Sequence, residues 1–236
     1  QRQMCIRDST TGVYTGMRGI LPPIQRYIYL YIPLITMGLM SREYQSGSIK
    51  LLYSSPVKNT SIIMGKFLSM MVYGVVLIGV LGVFVIFSAI TIVNFDYPLV
   101  LSGMLGLYLL ILAYSAIGLF MSSITKYQVV AAIGTLAVLA VLNFIGDVGQ
   151  DYDLVRHITY WLSITGRAYP FIDGLVASNN IFYFLIVIGF FLALSILKLN
   201  TEKTIMPLKI KVLKYSGIIF VILLLGYISS TPYTKY

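Results

Sequence analysis

Charge is what this chain has least of. Only 11% of its 236 residues are Asp, Glu, Lys or Arg, against roughly 25% in soluble domains. The runs 67–93, 99–124, 128–146, 181–197 and 216–230 contain no Asp, Glu, Lys, Arg or His. Ion-coupled transporters and proton pumps keep an ionisable group at membrane depth, and nothing in these runs can take up and release a coupling proton. The single cysteine, Cys5, excludes an internal disulfide and a cysteine-based metal cluster. The single histidine, His157, excludes a multi-histidine site. Beside Arg156, it reads as a surface or packing residue. No G-x-x-x-x-G-K-S/T loop occurs, because Gly65-Lys66 lacks both the preceding glycine and the following hydroxyl. Asp147, Asp151 and Asp153 read as a solvated acidic loop, since no ordered set of further oxygen ligands follows them. The expectation is a chain with no catalytic residue, no metal site and no cofactor of its own, and so not an enzyme.

Apolar residues are abundant: 58% of the chain, with a mean hydropathy of +0.88. That composition and length describe one polytopic integral membrane domain. The net charge of +9 then belongs to basic loops flanking membrane helices rather than to a nucleic-acid site. A span needs about 20 mostly apolar residues. The expected fold is an all-α helix bundle with six transmembrane helices, at about 22–40, 63–93, 98–124, 128–146, 180–198 and 215–230. The Lys/Arg bias orients it. With 41–66, 125–127 and 198–214 placed inside, those segments hold ten basic residues against Glu43 and Glu202. The outside segments beyond the first span hold Arg156, Arg167 and Lys235 against five aspartates. Residues 1–21 then form an external N-terminal segment, which implies a further span upstream. Gln1–Ser9 is polar and resembles neither a signal peptide nor a helix, which suits a non-native segment. The bundle proper runs over 22–199, followed by a basic inner loop at 200–214 and an extra helix with a short external tail at 215–236.

Residues 147–179 form the longest external segment. Leu154, Ile158, Trp161 and Leu162 fall on one helical face, which suits a helix lying at the membrane interface. Pro170 and Gly174 are expected to break the chain beyond it, giving two short re-entrant or interfacial helices. Small residues four apart, Ser102/Gly106 and Gly118/Ser122, permit close helix contact, either inside the bundle or as a face for a second copy. Asn143 is the most polar deep residue and reads as an interhelical hydrogen-bonding group.

One long polar passage, Ser41–Phe67, separates two apolar runs. Met40, Tyr44, Leu51 and Ser55 fall near one helical face, which suggests an amphipathic helix at the inner interface that Gly47 could kink. Ser55-Pro56 fits a helix restart, with Ser55 as the cap and Pro56 in the first helical position. Asn59 and Thr60 offer a second cap.

The residues from Ile32 to Met37, Arg42-Glu43, Ser46–Ile49, Leu51-Leu52, Ser54–Val57, Ile62-Ile63 and Gly65–Phe67 resemble the permease subunit of ABC-2 type transporters. The resemblance is nearest to the gliding-motility and nitrous-oxide-maturation branches. It continues through Ser102–Leu110, Gly118–Ala132, Trp161–Ser163 and Phe171–Gly174, covering roughly 28–199. It implies six family spans, the first of them missing here and the helix at 215–230 an addition. It also implies a coupling helix that docks on a separate cytoplasmic ATPase, which would bind the ATP and Mg. Carried onto this chain, the docking set is Arg42, Glu43, Gly47, Ile49, Leu51 and Leu52, although the family's acidic approach to Gly-Thr is only partly kept. The implied partners are that ATPase, a second permease copy (identical or homologous) and membrane lipid. The implied setting is the bacterial inner membrane, and the implied work is ATP-driven export. The alternative is a membrane anchor or scaffold in a surface or gliding machine, without transport of its own.

Overall fold

A computed structural model describes residues 23–91, 97–144, 164–172 and 174–203, together with Gly217. Among these residues helix is the only regular secondary structure, and no strand occurs. Helix α1 covers 23–36. It is followed by α2 (Gly38–Ser46), α3 (Ile49–Ser54), α4 (Asn59–Thr91), α5 (Tyr97–Ile124), α6 (Gln128–Phe144), α7 (Ile164–Ile172) and α8 (Ser178–Lys203). Helices α4, α5 and α8 are long and apolar enough to cross a membrane, and α6 is a shorter apolar helix of 17 residues. These match four of the expected spans to within a few residues at each end. The expected helix at 215–230 lies outside the described residues, apart from Gly217. So do Ile158, Trp161, Leu162, His157 and the aspartates at 147, 151 and 153.

Helix α5 is the hub. It packs against α2, α4, α6, α7 and α8. Its apolar window is 67% buried, against 11% for α4. One continuous core joins Leu110, Tyr114 and Ile117 of α5 to Ile32, Met40, Phe67, Leu139, Phe171 and Phe184 on the surrounding helices. Between helices in lipid the hydrophobic effect supplies little association energy, so close backbone approach and hydrogen bonds matter more. Both pairs of small residues serve that purpose inside the bundle. A Cβ on Gly118 would fall 2.0 Å from Thr36 Oγ1, and one on Gly106 would fall 2.5 Å from Phe171 Cβ. Ser102 Oγ donates to the Phe171 carbonyl at 3.0 Å. Asn143 makes the expected bond between helices, accepting from the Tyr114 hydroxyl at 2.9 Å. Such bonds average about 0.6 kcal/mol in a membrane protein. Tyr114→Phe is therefore expected to cost about that much, seen as a small shift in an SDS-titration midpoint.

The first expected span, 22–40, is not one regular helix. The backbone stays helical at Met37 (φ −54°, ψ −35°), but Ser122 of α5 enters the hydrogen-bond ladder there. Ser122 Oγ accepts from the Met40 and Ser41 amides at 2.9 and 3.0 Å and donates to the Met37 carbonyl at 2.8 Å. Thr36 Oγ1 adds to the irregularity by donating to the Ile32 carbonyl at 2.8 Å. A side chain inserted into the ladder is a recognised cause of helix irregularity.

Proline marks two departures from expectation. Ser55-Pro56 does not restart a helix. Pro56 disfavours the helical conformation in the residue before it, and Ser55 is extended (φ −70°, ψ 146°), closing α3. Helix α4 starts instead at Asn59, whose side chain does not cap it but donates to Asn200 Oδ1 at 2.8 Å. Pro170 does not break the chain either, because α7 runs through it. The stop comes at Gly174, which takes the left-handed conformation at φ +88°. Its amide donates to the Phe171 carbonyl and the Leu175 amide to the Pro170 carbonyl, the pair of bonds that ends many helices on a glycine. Ile164, Ala168, Phe171 and Ile172 form the buried stripe of α7, at spacings that keep them on one helical face.

The polar ends gather where the charge pattern grouped them. Gln128 at the start of α6 donates to Gln45 of α2 at 3.3 Å, and the Asn59–Asn200 bond joins the start of α4 to the end of α8. Helix α7 packs at the opposite end, where Gly174 meets Leu99 and Ile24 and Ile28 pack around Leu107 and Ile172.

Candidate functional site

The passage between α1 and α4 folds as an elbow of two short helices, α2 and α3. Gly47 joins them at φ +75°, a conformation open to glycine at little cost. Its amide reaches back to the Tyr44 carbonyl at 3.4 Å. The Ser46 and Ser48 hydroxyls donate to the Glu43 carbonyl at 3.3 and 3.4 Å, satisfying a carbonyl that the end of α2 leaves without a helical partner. This turn resets the helical register. The expected common face of Met40, Tyr44, Leu51 and Ser55 is therefore absent: Met40 is fully buried and Leu51 is 75% exposed.

The six residues carried over as the docking set divide into two groups. Arg42, Gly47 and Leu51 are exposed, with Lys50, Lys58 and Val57 exposed beside them. Ile49 is buried in the core, and Leu52 packs against that core. Glu43 turns inward, its Oε1 accepting from Lys66 Nζ of α4 at 2.6 Å. The elbow thus has an underside fixed to the bundle and an outer surface that is basic and apolar.

Sequence reasoning did not assign roles to three residues that shape this end and its opposite. Lys66 stood only as an inner basic residue and part of the family resemblance. No local signal marks its pairing with a carboxylate 23 positions earlier. Ser122 stood as a small packing residue, and its part in the α1–α2 ladder is visible only in three dimensions. Arg167 stood as an external charge. Its Nη1 donates to Asn180 Oδ1 at 3.3 Å, and its guanidinium carbon lies 5.6 Å from the Tyr183 ring centre, within the reach of a cation–π contact. That arrangement ties α7 to α8.

Among the described residues no group of His, Cys, Asp or Glu could hold a metal ion. Comparison with curated proteins and with solved structures returns no significant match. The family described as ABC-2 family transporter protein matches residues 15–150, more than half of the chain, and takes in the elbow together with α4, α5 and α6. Family match and apolar helical bundle together make this chain a member of the ABC-2 transporter family and a membrane permease component of an ABC transporter.

Proposed function

We propose that this permease couples ATP hydrolysis by a separate cytoplasmic ATP-binding-cassette subunit to export across the bacterial inner membrane, as one of two copies or homologues. The observation that carries the reading is the two-sided elbow. Leu51 stands 75% exposed between Lys50 and the basic-apolar stretch around Val57 and Lys58, while Ile49 and Glu43 fix the same segment from beneath. An exposed leucine with basic residues beside it in the chain fits an apolar cleft with an acidic rim. The absence of ionisable residues from the apolar runs supports an energy source outside the membrane. The extended resemblance supports placement in the gliding-motility or nitrous-oxide-maturation branch. On this reading the partner-facing residues are Arg42, Gly47 and Leu51, with Glu43, Ile49 and Leu52 as their support. ATP closes the ATPase pair, the elbow moves with it, and the helices tilt to open a path between the two permease copies.

The test uses surface changes that spare the fold. Arg42→Glu combined with Leu51→Asp is expected to lower ATPase co-purification from detergent-solubilised membranes at least tenfold, with thermal unfolding of the permease unchanged. Assembly and ATPase stimulation at wild-type levels in that variant would refute docking at the elbow.

A further inference from the structure

A movement of the elbow can reach the membrane helices only through the contacts between them. Helix α2 packs against α5 and α6, and Lys66 gives it a polar link to α4. Lys66 sits in the second turn of α4. Its ammonium donates to Glu43 Oε1 at 2.6 Å and also to the carbonyl of Leu39, one turn earlier on α2. The two side chains are 21% and 29% exposed. Fully exposed ion pairs contribute little, because solvent and side-chain entropy compete with them. This pair differs in that the second bond, to a fixed backbone oxygen, sets the position of the ammonium. Glu43 Oε2 is buried without a hydrogen-bond partner among the described residues, so the hold of the carboxylate on α4 rests on Lys66.

Of the three helices long and apolar enough to cross a membrane, the one at the other end of this link is the least buried. Helix α4 is the longest of the bundle, and its apolar window is only 11% buried. The outward residues Val72, Val76, Val80, Val83 and Phe87 are all more than half exposed. A helix with so little protein packing can tilt at smaller cost than α5, which is clasped by five others.

We propose that Lys66 is the strut that passes displacement of the elbow to α4, holding Leu39 and Glu43 of α2 at a fixed distance from it. Lys66 is a positioning residue for transport and touches neither substrate nor ATPase. This inference rests on the docking reading for its driving force, whereas the strut itself is a property of this chain alone.

The experiment therefore has two arms on the full-length permease. In the first, hydrogen exchange is followed in Lys66→Met and Lys66→Arg. Methionine keeps the length of the stem but donates nothing, whereas arginine can restore both bonds. The α2 amides (38–46) are expected to exchange at least tenfold faster in Lys66→Met and within threefold of wild type in Lys66→Arg, with α5 and α8 unchanged in both. Unchanged α2 exchange in Lys66→Met overturns the strut. In the second arm, Lys66→Met is expected to retain ATPase capture within twofold and to lose at least tenfold of the stimulation of ATP hydrolysis by the permease. A Glu43→Cys/Lys66→Cys variant, bridged by a bis-maleimide spanning the lost pair, is expected to regain most of that stimulation. Full stimulation in Lys66→Met, or none regained on bridging, overturns transmission through this residue. A wild-type permease that captures no ATPase overturns the docking reading, and transmission with it, while the exchange arm still decides the strut.

Discussion

Gly118→Leu is expected to prevent the bundle from closing, so that little monodisperse protein is recovered in detergent. The new Cβ alone would lie 2.0 Å from Thr36 Oγ1 and 2.6 Å from Thr36 Cβ, closer than non-bonded atoms can stand. Thr36 cannot readily yield, because it is fully buried and its hydroxyl is held by the Ile32 carbonyl at 2.8 Å. The α1 backbone must then move off α5, and the neighbouring Ser122 contacts with it. Gly118→Ala, the smaller insult, is expected to cost about 1–3 kcal/mol, the usual range for overpacking. Pairing it with Thr36→Gly removes the opposing side chain and is expected to recover most of that loss. Thermal unfolding and size-exclusion profiles of the three variants decide the matter. A harmless Gly118→Leu would mean that α1 and α5 do not meet at this point.

The second large effect is expected for Ser122→Ala. Met37, at the start of α2, offers no side-chain hydrogen bond to the helix, so the cap comes from a residue more than 80 positions away. Removing the hydroxyl strips a partner from the Met40 and Ser41 amides at once. Ser41 Oγ still donates to the Met37 carbonyl, so that acceptor keeps a partner. Each buried donor left unpaired costs about 1–3 kcal/mol, and the expected loss is about 2–3 kcal/mol, together with faster exchange of those two amides. Ser115→Ala is the control. Ser115 is equally buried but donates only within its own helix, to the Ile111 carbonyl at 2.7 Å. Its replacement is expected to change stability by less than about 1 kcal/mol. Equal losses in the two variants would show that the tertiary cap is not what stabilises the start of α2.

These two serines illustrate how far the sequence could be read. Ser115 and Ser122 are seven residues apart on one apolar helix, and composition treats them alike. Their different roles come from what stands opposite each. The same holds for the carried-over docking set. Its position between two apolar runs was legible, but the separation of Arg42 and Leu51 from Glu43 and Ile49 depends on the backbone turn at Gly47. Proline misled at two positions. Pro56 closes one helix instead of opening the next, and Pro170 is carried inside α7. Glycine was the better stop signal, because Gly47 and Gly174 both adopt the left-handed conformation that ends a helix.

Apolar run length and the placement of charge are local properties of the chain, and they determined the three helices long enough to cross a membrane, the shorter apolar α6, the polar elbow before α4 and the grouping of the basic turns at one end. They also determined that no ionisable residue lies within the apolar runs and that Asn143 needs a partner. Tertiary structure alone decided the pairings: Ser122 with the α1–α2 ladder, Gly118 with Thr36, and Lys66 with Glu43 and Leu39. The reason is physical. Helices α4 and α5 are apolar around their whole circumference, so their sequences mark no face as inward. Which residues meet is then set by the rotation and depth of each helix against its neighbours, and those are fixed by close approach and hydrogen bonds that no spacing along the chain encodes.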